Sequence, residues 1–353
     1  MYSWEQNIRK VIPYTPGEQP KEKDIIKLNT NENPYPPAPG VAKAIKEFDT
    51  NSLRKYPDPL IGKLVHSIAV NYGMRDEEVF VGVGSDDVLA TAFLTCFNSD
   101  KPIIFPDITY SFYDVWAKLF NIPFETKALD ENFKIVTEDY LCDNGGVIFP
   151  NPNAPTGELM ELDEVERIIA ANRDVVVIVD EAYIDFGGTS AKSLIKKYDN
   201  LLVVQTYSKS RSLAGMRIGF MLGNEKLVKY INDVKYSYNS YTLSNLTIEA
   251  GVASMEDTAY FEECVKKVID VREWTKVELK KRGFIFGDSK SNFIFAKSDR
   301  MSGNKLFEEL KKRKIYVRHF SKPERIDDYL RISIGTAEEM KIFMEKLDEI
   351  LGL

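Results

Sequence analysis

Between residues 60 and 222 the chain alternates between stretches with apolar residues three and four apart and short unbroken apolar runs. The first kind spans 60–72, 86–97, 110–120 and 162–171, and its spacing predicts helices that each bury one face. The second kind covers 79–81, 103–105, 147–149, 175–179, 201–204 and 218–222, too short for helices and apolar on both sides, as strands buried on both faces are. Strands alternating with helices predict a mostly parallel sheet covered on both faces, because each crossover connection lays a helix against it. The expected fold class is α/β.

The pattern changes at both ends. Residues 12–40 are rich in Pro, Asn and Gly and predict an extended arm. Beyond residue 225 long helical stretches (225–236, 242–254, 259–281) precede short strands near 284–286, 293–296, 316–318 and 330–334 and a closing helix over 337–350, which reads as a smaller α+β domain. The expected division is an arm over 1–28, a large α/β domain over 29–240 and a small domain over 241–353. At 353 residues the chain is long enough for two cores.

Charge and cysteine content narrow the partners. The 47 basic and 54 acidic residues give a net charge of −7 and are mixed along the chain, so no basic block suits nucleic acid. Cys96, Cys142 and Cys264 lie far apart without a CxxC pair, as expected of reduced thiols in the cytoplasm. No apolar run approaches the roughly 18 residues of a membrane helix. No metal site is expected.

Ligands of open α/β sheets bind at the carboxyl ends of the strands, and four polar segments follow apolar runs there. Gly82-Val83-Gly84-Ser85-Asp86-Asp87 leads into a helix and suits an anion, or is a turn capped by Ser85 or Asp86. Pro150-Asn151-Pro152-Asn153-Ala154-Pro155-Thr156-Gly157 is a stiff turn able to present an amide. Asp180, in Val179-Asp180-Glu181-Ala182-Tyr183, ends the most apolar run, where a lone acid is costly unless a cation or a cap meets it. Thr206-Tyr207-Ser208-Lys209-Ser210-Arg211, continuing to Arg217, offers the amine that forms Schiff bases beside hydroxyls and an arginine suited to a phosphate ester.

Taken in order, these segments resemble the fold type I pyridoxal-phosphate aminotransferases of class I/II, together with Leu28-Asn29-Thr30-Asn31-Glu32-Asn33-Pro34 and Lys55-Tyr56-Pro57-Asp58. The resemblance runs from about residue 11 to the end. It implies a seven-stranded, mostly parallel sheet, pyridoxal 5′-phosphate as cofactor and a homodimer with shared active sites acting on small molecules. Lys209 would carry the cofactor as a Schiff base and move the proton, Asp180 would pair with the ring nitrogen, and Asn153 and Tyr183 would hold the ring's phenolic oxygen. Tyr110 would stack on the ring. Gly84, Ser85, Asp86, Thr206, Ser208 and Arg217 would bind the cofactor phosphate, joined by Tyr56 from the neighbouring subunit.

Arg331 would hold the acidic group of the substrate, with Arg318 and Tyr14 completing a phosphate site. The implied reaction passes the amino group of L-histidinol phosphate to 2-oxoglutarate in histidine biosynthesis. Aromatic amino acid transamination and threonine-phosphate decarboxylation are the alternatives within the fold. A binding protein that kept the fold without the chemistry would usually have lost the lysine, the acid or the arginine, all of which are present. Asp87 stands where the family commonly has glutamate, and Ser210-Arg211-Ser212 replaces a more apolar spacer. Neither His66 nor His319 is given a chemical role.

Overall fold

The computed structural model describes residues 3–353. The first two residues of the expected arm lie outside that range. Strand β1 (Ile26–Lys27) closes an N-terminal segment with little regular structure. There follow α1 (Pro39–Glu47), α2 (Gly62–Tyr72), β2 (Val79–Val83), α3 (Gly84–Cys96), β3 (Ile103–Pro106), α4 (Tyr113–Phe120), β4 (Phe124–Lys127), β5 (Gly146–Pro150), α5 (Leu162–Ala171), β6 (Val177–Asp180), β7 (Leu201–Thr206) and β8 (Ile218–Gly223). The remainder is α6 (Glu225–Tyr238), α7 (Asn245–Glu256), α8 (Thr258–Lys281), β9 (Phe284–Phe286), β10 (Phe293–Ser298), α9 (Gly303–Lys312), β11 (Ile315–Tyr316), β12 (Arg318–His319), β13 (Leu330–Ser333) and α10 (Ala337–Leu351).

Seven strands form one sheet in the order β2-β8-β7-β6-β5-β3-β4. Only β8 runs antiparallel to its neighbours, so the expected mostly parallel sheet is present. Successive side chains point to opposite faces: Val147, Phe149, Val177, Val179, Leu201 and Val203 join one apolar cluster, and Ile148, Ile178, Leu202 and Val204 the other. Burial on both faces is why these strands read as continuous apolar runs rather than alternating ones.

Strand β4 and helices α1 and α9 were not legible as periodic elements. As an edge strand, β4 needs only one apolar anchor, Phe124, stacked on Phe105 with ring centroids 5.3 Å apart. The strand expected over 316–318 is two, since β11 pairs with β1 while β12 pairs with β13.

A four-stranded antiparallel sheet, β12-β13-β10-β9, carries α8, α9 and α10 around a separate apolar cluster. Helix α10 begins at a reciprocal Thr336–Glu339 capping box, which engages two N–H groups, and ends at Gly352 in the left-handed region, whose N–H satisfies the Asp348 carbonyl. The pattern groups α7 with the small domain, yet its Ile248, Val252 and Met255 pack with Leu64 and Ile68 of α2 in the cluster beneath the large sheet.

Candidate active site

The carboxyl ends of β2, β6 and β7 bring three of the four strand-end segments together. After β2 the chain turns at Gly84, with φ +81, straight into α3. A Cβ on Gly84 would stand 2.3 Å from Arg217 Nη2, and one on Gly219 would stand 2.3 Å from Gly84 C and Ser85 N. The two glycines therefore let the first turn of α3, β8 and the Arg217 side chain meet. Neither Ser85 nor Asp86 caps the helix; both lie within its first turn, and Asp87 Oδ2 accepts the N–H of Val83 just before it (2.9 Å). That leaves the helix start and its positive dipole end open to an anion.

Asp86 accepts from Tyr110 Oη at 2.6 Å and pairs with Arg217 Nη2 at 3.2 Å. Arg217 Nη1 also reaches Ser208 Oγ at 3.4 Å, and the buried Thr206 hydroxyl donates to Ser208 Oγ at 3.0 Å. Gly84, Asp86, Tyr110, Thr206, Ser208 and Arg217 thus form one connected group.

Asp180 ends β6 and is 4% exposed. Tyr113 Oη donates to its Oδ2 (2.9 Å) and the Ala182 N–H to its Oδ1 (3.2 Å). Burial pushes this carboxyl up to about 6, and those two hydrogen bonds only partly offset the desolvation. A buried acid short of a cation is what a protonated ring nitrogen would complete. Lys209 is near enough to act on that carboxyl, its Nζ donating to Thr30 O (3.2 Å) and standing 5.8 Å from the centre of the Tyr183 ring. Its own peptide is clamped, as Asn33 Nδ2 donates to the carbonyls of Lys209 and Ser210, both at 3.1 Å.

Asn153 is held within its turn. Its Nδ2 donates to Ile108 O (2.9 Å) and Thr156 Oγ1 (3.0 Å), and its Oδ1 accepts from Thr109 Oγ1 (3.1 Å). Both amide protons are in use within the chain.

The segment from Leu28 to Asn33 passes between the two sheets like a strap. Arg331 Nη2 donates to Asn29 O (3.1 Å), and Asn31 Nδ2 donates to Tyr183 Oη (2.9 Å). Arg331 on β13 stands in register with Arg318 on β12, and both guanidiniums lie over the Phe320 ring, at 5.6 and 5.5 Å. Arg331 Nε is buried without a partner among the described residues. Burial, together with the Arg318 charge, makes the protonated form of Arg331 harder to hold. Tyr14 stacks on Phe112 (4.2 Å), and Tyr14, Tyr110, Arg318 and Phe320 line a cleft of about 730 Å³.

Tyr56 is not part of this group. It is 80% exposed and packs only on Tyr241 among the described aromatic rings. Sequence reasoning missed Tyr113, Asn31, Ser333 and Phe320. Tyr113 follows Tyr110 by three residues in an aromatic run, a spacing that places both on one side of a helical turn. Asn31 belongs to the Asn-rich segment that composition marks only as irregular.

Three features fit a phosphorylated pyridine: an uncapped helix start beside hydroxyls and an arginine, a buried acid with no ion pair among the described residues, and a lysine close enough for its charge to act on that acid. The chain belongs to the aminotransferase class I and II family, whose model matches residues 23–347. It is a transaminase that uses pyridoxal phosphate. It is 49% identical over 349 residues to the histidinol-phosphate aminotransferase of Clostridium beijerinckii, covering 99% of this chain and 97% of that one. Among solved structures, the histidinol-phosphate aminotransferase of Clostridium acetobutylicum superposes with a TM-score of 0.86 at 25% identity, covering 93% of this chain and 99% of that one. That of Sinorhizobium meliloti in complex with pyridoxal-5′-phosphate does so with 0.84 at 21% identity, covering 93% and 91%.

Proposed function

We propose that this chain transfers the amino group of L-histidinol phosphate to 2-oxoglutarate, giving imidazole-acetol phosphate and L-glutamate. When bound, pyridoxal phosphate supplies an aldehyde that takes up an amine and a ring that draws electrons from the neighbouring carbon. Lys209 Nζ holds the cofactor and carries the proton between substrate carbon and cofactor. Asp180 keeps the ring nitrogen protonated, and Tyr183 and Asn153 hold the phenolic oxygen, Asn153 after releasing one of its local bonds. Tyr110 covers the ring face. The start of α3 at Gly84, Ser85 and Asp86 grips the cofactor phosphate with Thr206, Ser208 and Arg217.

The observation that carries the substrate reading is the Arg318–Arg331 pair. Like charges opposite each other on adjacent strands are unfavourable, and a phosphate dianion relieves both where a carboxylate relieves one. Tyr14, from the arm, lines the cleft that Arg318 also lines.

A homodimer follows from Tyr56, which would reach a partner's cofactor phosphate. Tyr56 and Tyr241, with ring centroids 4.7 Å apart and both exposed, offer an apolar surface that a partner subunit would cover. The proposed domains are the arm over 1–28, the large domain over 29–240 with α7 packed beneath it, and the small domain to 353. No described helix is long and apolar enough to cross a membrane, in keeping with a cytoplasmic enzyme.

Separate half-reactions of the cofactor-loaded protein with L-histidinol phosphate, phenylalanine and threonine phosphate test the substrate. Histidinol phosphate should bleach the cofactor band fastest. Faster bleaching by phenylalanine, or carbon dioxide released from threonine phosphate, would replace this reading with an aromatic transaminase or a decarboxylase.

A further inference from the structure

Asn31 sits midway along the strap, 1% exposed and with φ +56. Its polar groups are all engaged. The N–H donates to Ser333 Oγ (2.9 Å), the C=O accepts from Asn292 Nδ2 (2.9 Å), Oδ1 accepts from Ser333 Oγ (3.0 Å) and Nδ2 donates to Tyr183 Oη (2.9 Å).

These bonds fix which way the amide faces. Ser333 Oγ already accepts the Asn31 N–H, so its own proton needs an acceptor, and Ser333 is buried. Oδ1 is that acceptor. With the amide reversed, Ser333 would face an NH₂ group and its hydroxyl proton would be left unpaired in the interior. Nδ2 therefore faces Tyr183, the tyrosine oxygen accepts, and the single phenol proton is directed away from the strap.

We infer that Asn31 is a positioning residue: by filling the acceptor side of the Tyr183 hydroxyl it aims that proton into the cofactor site. The aim is tied to the small domain, because Ser333 lies on β13 two residues beyond Arg331 and points to the same face. The inference rests on the reading of Tyr183 as a ligand of the ring's phenolic oxygen. The charged and titratable groups near Tyr183 are Lys209, Arg331 and the Tyr113 hydroxyl, and all are kept in the variants below.

The test is the pH midpoint of the absorbance change of the cofactor-loaded protein without substrate. A proton donor to the phenolic oxygen lowers that oxygen's basicity, so losing its aim raises the midpoint. Asn31→Gly keeps the left-handed backbone and removes the amide, and Ser333→Ala keeps the amide but removes what fixes its sense, together with the acceptor of the Asn31 N–H. Asn31→Gly should raise the midpoint by about 0.7 unit, roughly a fivefold change in proton affinity. Ser333→Ala should raise it less and Tyr183→Phe more. If Tyr183→Phe moves the midpoint while both other variants leave it within about 0.2 unit, the inference about Asn31 is wrong and the Tyr183 reading stands. If Tyr183→Phe leaves it unmoved, both fall. Should Asn31→Gly not fold, Ser333→Ala decides alone.

Discussion

The ends of the two sheets differ in how far the chain satisfies its own charges. At the carboxyl end of the seven-stranded sheet, Asp86 is held by Tyr110 and Arg217, Asp180 by Tyr113 and Ala182, and Thr206 by Ser208. At the edge of the four-stranded sheet, Arg318 and Arg331 stand side by side with one long contact from Arg318 to Thr15 O (3.5 Å), one bond from Arg331 to Asn29 O, and an Nε left over. Apart from the cation that Asp180 lacks, the first region is assembled before any ligand arrives, its side chains set on or just after strand ends. The second keeps a repulsion that only an anion removes, so ligand binding should draw the two sheets together through the strap.

The comparison can be broken most severely at Lys209. Lys209→Ala removes both the holding amine and the proton carrier, and turnover should fall by on the order of 10⁴-fold. Borohydride reduction followed by peptide mapping should label residue 209 in the parent and nothing in the variant. Activity within tenfold of the parent would mean that the first region is not the catalytic one.

Asp180→Asn comes next, and its sign depends on the cofactor. With cofactor bound, losing the ring nitrogen's partner should cost on the order of 10²- to 10³-fold in rate, the scale of one preorganised electrostatic contact. Without cofactor the effect should invert. Burial raises Asp180 from its ordinary 3.8 to about 6, so the folded chain holds the proton more tightly than the unfolded one. That contribution is complete below the ordinary value and is lost as pH rises through about 6. A shift of about two units corresponds to about 3 kcal/mol lost by about pH 8. Cofactor-free Asp180→Asn should then resist urea better than the parent at pH 8, with the gap closing toward about pH 4. Lower stability of the variant at pH 8 would show that the acid is satisfied without a cation.

Much of the first region was legible because its physics is local. Strands buried on both faces leave continuous apolar runs, and Asp180, Lys209 and Gly84 follow such runs directly. What escaped depends on contacts between distant segments. Asn31 meets Tyr183 across 152 positions and Ser333 across 302, and no periodicity encodes such a pairing. Strand β4 escaped because an edge strand is mostly solvated, and α7 was assigned by its neighbours in sequence although its apolar face fits the large core. The prolines around Asn153 mark a stiff turn, but only the folded chain spends its amide on Ile108 and Thr156.

The arginine pair gives the smallest and most discriminating effects. Arg331→Ala removes charge-assisted hydrogen bonds of about 1.5–3 kcal/mol, so kcat/KM for a phosphate-bearing donor should fall roughly 10- to 150-fold. Arg318 is nearer solvent and its charge is better screened, so Arg318→Ala should cost only about fivefold. Without ligand the order should reverse, since removing Arg318 also removes its repulsion of Arg331 and should raise urea resistance by up to about 0.5 kcal/mol. Half-reaction rates with phenylalanine, which offers one carboxylate, should respond to Arg331→Ala and ignore Arg318→Ala. Equal sensitivity of phenylalanine to both substitutions would mean that the two guanidiniums serve one carboxylate, and the case for a phosphate dianion between the strands would be lost.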